Sequence, residues 1–296
     1  MPDNALRLDP QTRDRMVEMK VTCPFLGSLV HQDLLAVREA PDNPLAAIDE
    51  VRLLGNEGAG DLGDLLVFFA EGNHALMRGS SGLALDAAVP AGLFSLELPG
   101  SQGSHPGHSG ILQGDPKTLA SGRLSQADFD RLAAFATDGF LKRSGVGRFI
   151  AQNLRRDPNA KVAQATVADL LAHDLAGAVA AISAKVASMI STLGTGSDRS
   201  SNGEVEQKLT KLLGEDNLVG SSGEFGLLFA FLSNAPATKQ LNGEPALSLD
   251  HVRAMFISKE LPEGWKTWKK SRVDWVVHTT ALLVSAAREY HRLAPK

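Results

Sequence analysis

The chain has 296 residues, 43% of them hydrophobic, and its 30 basic and 34 acidic side chains leave a formal net charge of -4. That is enough apolar material for one large core, and the mixed charge excludes a basic nucleic-acid footprint and a polybasic membrane patch. A single cysteine excludes an intramolecular disulfide and a cysteine-rich zinc site.

Met1 to Arg15 is polar, alternates in charge and lacks the apolar stretch of a secretory leader. With no run of about 18 apolar residues to span a bilayer, a soluble cytoplasmic protein is expected. The run Val21-Thr22-Cys23-Pro24-Phe25-Leu26 then turns a loop into an apolar helix. Pro24 suits the first helical position, and Phe25, Leu26, Leu29, Val30, Leu34 and Val37 recur at helical spacing. Free first-turn N–H groups and the helix dipole would stabilise a thiolate on Cys23, so a lowered thiol pKa is expected. Such a thiol can be a nucleophile, a soft metal ligand or a small buried apolar group.

Asn43-Pro44 predicts the next helix, carrying Leu45, Ile48, Val51 and Leu54 and stopped by Gly55. Asp61 to Met77 follows with Leu62, Leu65, Leu66 and Phe69 on one side. Arg78 to Arg123, rich in Gly, Ser, Pro and His, predicts a long loop with at most a short strand at Leu93 to Leu98. Within it, His105 and His108 could hold a metal, but a pair falls short of the three or four ligands such a site needs. Ser125-Gln126-Ala127-Asp128 opens a helix through Phe135, and Arg143 to Asn153 is a shorter one. The longest predicted helix, Thr166 to Leu193, has a second stripe of mostly small residues: His173, Gly177, Ala180, Ala184 and Ser188. Gly194 to Gly203 is a linker by composition, and Glu204 to Leu213, Ser222 to Leu232, Ser248 to Phe256 and Arg272 to Arg292 complete the helices.

Glu224 is a carboxylate at the predicted head of an otherwise apolar helix. It is either a partner of the helix dipole or, flanked by Phe225 and Phe229, a carboxyl whose raised pKa suits a proton shuttle. Trp265, Trp268 and Trp275 are expected in the core. The phosphate-binding Gly-x-x-x-x-Gly-Lys loop, the dinucleotide glycine fingerprint, the Gly-x-Ser-x-Gly elbow and the His-Glu-x-x-His helix are all missing from the sequence.

Three stretches together resemble the haem-thiolate peroxidase family, the chloroperoxidases and unspecific peroxygenases. Cys23-Pro24-Phe25-Leu26-Gly27-Ser28-Leu29 is similar to the family's Cys-Pro segment, and Ser221 to Phe231 to the segment that supplies a distal glutamate. Leu247 to Phe256, followed by Glu260-Leu261-Pro262-Glu263-Gly264-Trp265, looks like the closing segment with its Leu-Pro-x-Gly-Trp turn. The resemblance implies one mainly helical domain over 1–296, all-α, of about eight to ten helices around a haem pocket, with at most a short β-hairpin. It implies haem b with Cys23 as iron ligand, Pro24, Phe25, Leu26 and Phe69 beside it, and Glu224 as acid and base toward hydrogen peroxide. The expected substrate is a small apolar or aromatic molecule.

Some family features are altered in this chain. Val30-His31-Gln32 replaces the usual Asn-His-Gly, and Asn217 stands where many peroxygenases have arginine. His105, His108 or His173 would then position Glu224. A magnesium or manganese ion would fall at Gln113-Gly114-Asp115, which lacks the leading carboxylate of the family's metal loop. Two rival readings stay open: a helical haem or apolar-ligand binder without turnover, and a haem-free thiol enzyme using Cys23, for which His31 is the nearest base.

Overall fold

The protein is described by a computed structural model over residues 8–21, 23–38, 44–58, 60–63, 65–66, 93–96, 126–156, 160–163 and 217–294. Within them lie eight α-helices: α1 (Pro10–Lys20), α2 (Pro24–His31), α3 (Ile48–Gly55), α4 (Gln126–Ala133), α5 (Arg143–Arg156), α6 (Asn217–Leu232), α7 (Leu249–Arg253) and α8 (Arg272–Arg292). A π-helical turn spans Ala254–Ser258 and a 3-10 turn Trp265–Thr267.

The centre is built by α8, which packs along both α5 and α6. Its start is set by Ser271, whose hydroxyl accepts from the Val273 amide at 3.1 Å. From there Trp275, Leu282, Leu283, Ala286 and Ala287 repeat on the buried side, leaving Val273 and Val277 exposed. Two glycines allow the close approach. A Cβ on Gly226 of α6 would lie 2.0 Å from Thr279 Oγ1 of α8, and one on Gly147 of α5 would lie 2.4 Å from Ser285 Oγ. The Trp275 indole N–H donates to the Gly223 carbonyl at 2.9 Å, and Phe149 meets Phe225 edge-on with ring centres 6.1 Å apart. All three tryptophans are buried, as expected.

Helix α1 lies in the stretch read as plain polar sequence. Its signal was Asp9-Pro10: the Asp9 carboxylate accepts from the Thr12 amide at 3.0 Å, and proline occupies the first turn. The helix then packs on α2 through Met16 and Val17, both buried.

The fold is mainly helical, but the expectation of at most one short hairpin is corrected. Among the described residues there are two antiparallel sheets, one pairing β1 (Leu45–Ala47) with β2 (Leu93–Ser95) and one in the order β3 (Phe140–Lys142), β5 (Glu244–Ser248), β4 (Lys239–Leu241). The turn between β4 and β5 is Asn242-Gly243, with φ of 56° and 77°, the left-handed pair that a two-residue hairpin demands. Asp138-Gly139, with φ of 52° and 77°, does the same before β3. Both dipeptides are plain turn signals that helical periodicity overshadowed.

Three predicted helices change at their starts, the one expected from Ser222 beginning at Asn217. Leu45 to Ala47 is strand, pulled out of the helical pattern by pairing with β2, and the helix begins only at Ile48. Ser248 ends β5, and the helix after it widens into the π-turn at Ala254. Arg272 to Arg292 agrees with the sequence reading at both ends. The strand expected within Leu93 to Leu98 is β2. The predicted helices Thr166 to Leu193 and Glu204 to Leu213, most of Asp61 to Met77, and the linker lie outside the described residues. Among the described residues no helix is long and apolar enough to cross a membrane.

Candidate functional site

The three stretches behind the family resemblance meet in space. Cys23 is the N-cap of α2 with an extended backbone, φ -66° and ψ 119°, and its carbonyl accepts from the Gly27 amide at 2.8 Å. The next turn is locked from two sides: Ser28 Oγ donates to the Pro24 carbonyl at 2.7 Å and lies 3.3 Å from the Met255 carbonyl of the π-turn. At its far end Gln32 accepts from the Leu261 amide at 3.2 Å, so the segment that replaces Asn-His-Gly ties α2 to the Leu-Pro turn. Gly264 takes φ 79° in that turn, a conformation that suits glycine, and delivers Trp265 under α2. Phe25 then touches Phe231 of α6 at 5.1 Å and Trp265 at 6.1 Å, both edge-on. Lys270, fully buried, fixes this cluster by donating to the carbonyls of Trp265 and Trp268 at 2.9 Å each.

Glu224 is not at a helix head. Helix α6 begins at Asn217, a full two turns earlier, so the carboxyl sits mid-helix and the dipole-partner reading is withdrawn. Glu224, Leu228 and Phe231 share one face of α6, and Phe231 is the residue that meets Phe25. The face of α6 carrying Glu224 is thereby turned toward the start of α2. Along this nearly all-buried helix only Glu224 and Leu227, one turn apart, keep accessible surface.

The electrostatics separate depth from closure. Burial pushes the Cys23 thiol up to about 11; the amides of Leu26 and Phe25 and the charge of Lys259 pull it down, while Glu224 adds to the rise. The expected lowering of this thiol is therefore corrected: the helix start acts on the sulfur in the right direction, but desolvation is larger. Burial likewise raises the Glu224 carboxyl to about 8. Yet Cys23 and Glu224 are both only half-buried. Both groups are thus strongly desolvated and yet keep some accessible surface.

A third group, which the sequence reading missed, acts on Cys23. Lys259 ends the π-turn at φ 58°, a left-handed conformation unusual for lysine, with its amide bonded to the Ala254 carbonyl. The turn folds its stem back over α2, where its Cδ lies 3.7 Å from the place a Gly27 Cβ would take. Burial lowers its ammonium to about 8, against the opposing charges of Cys23 and Glu18, so it remains cationic at neutral pH. Nothing in the local sequence Ser258-Lys259-Glu260 marks it; only the π-turn brings it there.

His31, the base considered for a thiol enzyme, is at the opposite end of α2, about 12 Å along the axis. Its Nδ1 is 2.9 Å from an Asp14 carboxylate oxygen on α1. His105, His108, His173, Phe69, Gln113 and Asp115 lie outside the described residues. Pro24 is half-buried beside Cys23, whereas Phe25 and Leu26 point into the core. Among the described residues no group of three or more His, Cys, Asp or Glu could hold a metal ion. A porphyrin iron needs only one protein donor on the proximal side, and a half-buried cysteine backed by helix amides, with the charge of Glu224 acting on it, fits that requirement. No family model, curated protein or solved structure matches this chain.

Proposed function

We propose that the protein is a haem-thiolate peroxygenase or peroxidase that uses hydrogen peroxide to oxidise a small apolar or aromatic substrate, with Cys23 as the iron ligand and Glu224 as the acid and base. The observation that carries this reading is that Cys23 and Glu224, from separate motifs, stand close enough for the Glu224 charge to act on the Cys23 thiol while both keep accessible surface. The haem would supply an iron at which peroxide is activated for transfer of oxygen or of oxidising equivalents.

The chain's own residues have the properties this work needs. Cys23 must shed its proton to ligate, and with a thiol near 11 that loss is uphill at neutral pH unless the ligand takes up the charge. The amides of Phe25 and Leu26 and the cation of Lys259 lower the barrier to it. Glu224, with a pKa about 8, exchanges protons readily near neutrality, which suits moving a proton from one peroxide oxygen to the other. The apolar neighbours Leu227 and Leu228 limit the water around it.

Carbon monoxide difference spectra of the reduced, haem-loaded protein test the ligand. The expected band is that of a thiolate-ligated haem, and Cys23→Ala abolishes it; a band that survives means another ligand. Glu224→Gln keeps the spectrum and lowers peroxide-dependent oxidation by roughly 100- to 10,000-fold. Unchanged turnover in that variant removes Glu224 from the reaction, and a coloured wild-type protein without turnover favours the binder. A haem-free thiol enzyme finds little support in a thiol near 11 with His31 engaged by Asp14.

A further inference from the structure

Beyond easing the loss of the Cys23 proton, Lys259 has a placement unusual enough to call for a role of its own. A left-handed lysine strains the backbone, and Lys259 keeps that conformation at φ 58°. The strain is held by the Ser28 and Ala254 contacts of the π-turn. Its stem crosses α2 at Gly27, one turn beyond Cys23 on the same helix face, where its Cδ is at van der Waals distance from the place of a Cβ. Among the described residues its ammonium has neither an ion pair nor a hydrogen bond; Glu18 of α1, an exposed side chain, and Cys23 act on it only as charges. A half-buried cation beside Cys23 without a bonded anion is a place where a ligand's anion would be welcome.

We infer that Lys259 is an anchoring residue for a carboxylate of the group held by Cys23, namely a propionate of the haem. This rests on the haem reading above and adds a residue to it. A porphyrin ligated through its iron at Cys23 still rotates about that bond; a cation beside the ligand sets which edge carries the propionates. Neither Glu224, mostly protonated at neutral pH, nor the apolar neighbours can serve that purpose.

Haem affinity, read from the Soret band during titration of the full-length protein, tests the assignment separately from activity. Lys259→Met should weaken binding of haem by roughly tenfold or more, the loss of one charge-assisted contact, and Lys259→Arg should recover most of it. With the haem dimethyl ester, which has no propionate charge, wild type and Lys259→Met should bind alike. Equal weakening for haem and for its ester would mean that Lys259 only supports the fold, and no weakening for either would mean that its ammonium touches nothing; each overturns the assignment. A wild-type protein that takes up haem without a thiolate spectrum, or not at all, overturns the parent reading and this inference with it.

Discussion

Two places in the molecule bury polar and titratable groups under apolar helices, and they are built in opposite ways. At the seam between α6 and α8 the backbones close on each other through Gly226, and Ser222 Oγ, His278 Nδ1 and Thr279 Oγ1 are buried with no partner among the described residues. Beside α2, Cys23, Glu224 and Lys259 are as strongly shifted in their titration as His278, yet each keeps accessible surface. A displaced pKa is therefore not in itself the mark of a site. At the seam the shifted imidazole is packed shut between helices, whereas the groups beside α2 stay accessible.

The contrast can be broken most forcefully at the seam. Gly226→Ala puts a Cβ 2.0 Å from Thr279 Oγ1 and 3.0 Å from Thr279 Cα, so the helices must part. The expected loss is about 3 kcal/mol in denaturant unfolding. A loss below about 1 kcal/mol would show that the seam yields easily and that the distinction from the groups beside α2 is one of degree.

Beside α2 the effect depends on pH. Glu224, raised to about 8 in the fold from an ordinary 4.5, keeps its proton longer folded than unfolded. Its contribution to stability is thus fully present below pH 4.5 and is lost as pH rises through 8, with a slope on the order of 1 kcal/mol per pH unit. Glu224→Gln should remove that slope, seen by comparing unfolding midpoints of the two proteins at pH 5 and pH 8. Parallel pH profiles would mean that water reaches Glu224 freely and that its carboxyl is not desolvated.

The smallest effect is expected at His278. Burial, with Arg143 nearby, lowers its pKa to about 4 from an ordinary 6.5, so the unfolded chain takes up this proton first on acidification. The stability tied to the neutral ring is present above pH 6.5 and is lost as pH falls toward 4. His278→Leu should be neutral within about 1 kcal/mol at pH 7, because the lost Nδ1 has no partner, and should resist acid better than wild type. Greater acid sensitivity in that variant would assign the imidazole a partner.

Legibility followed the range of the forces involved. Helix α8 could be read to the residue because its cap and its apolar stripe are local, and Cys23 and Glu224 stood out because a thiol before proline and a lone carboxyl in an apolar helix are visible in a line of letters. What failed was decided by distant partners. Leu45 to Ala47 became strand because β2 pairs with it, the thiol rose because the folded chain removes water from it, and Glu224 moved mid-helix because α6 extends back through Asn217, whose side chain accepts from the Lys161 amide at 2.5 Å. Lys259 could not be read at all, since a π-turn and a positive φ place it. The Asp9-Pro10, Asp138-Gly139 and Asn242-Gly243 signals, by contrast, were local and were passed over.

The position of α8 also governs how the chain can be made. Because α5 and α6 bury their apolar faces chiefly against it, neither can finish packing while residues 272–292 are still inside the ribosome. Until then the nascent chain carries the greasy surfaces of Phe149, Phe225 and Phe229 in water, so its yield in a host cell should depend on holding chaperones and on the pace of translation over the final helix.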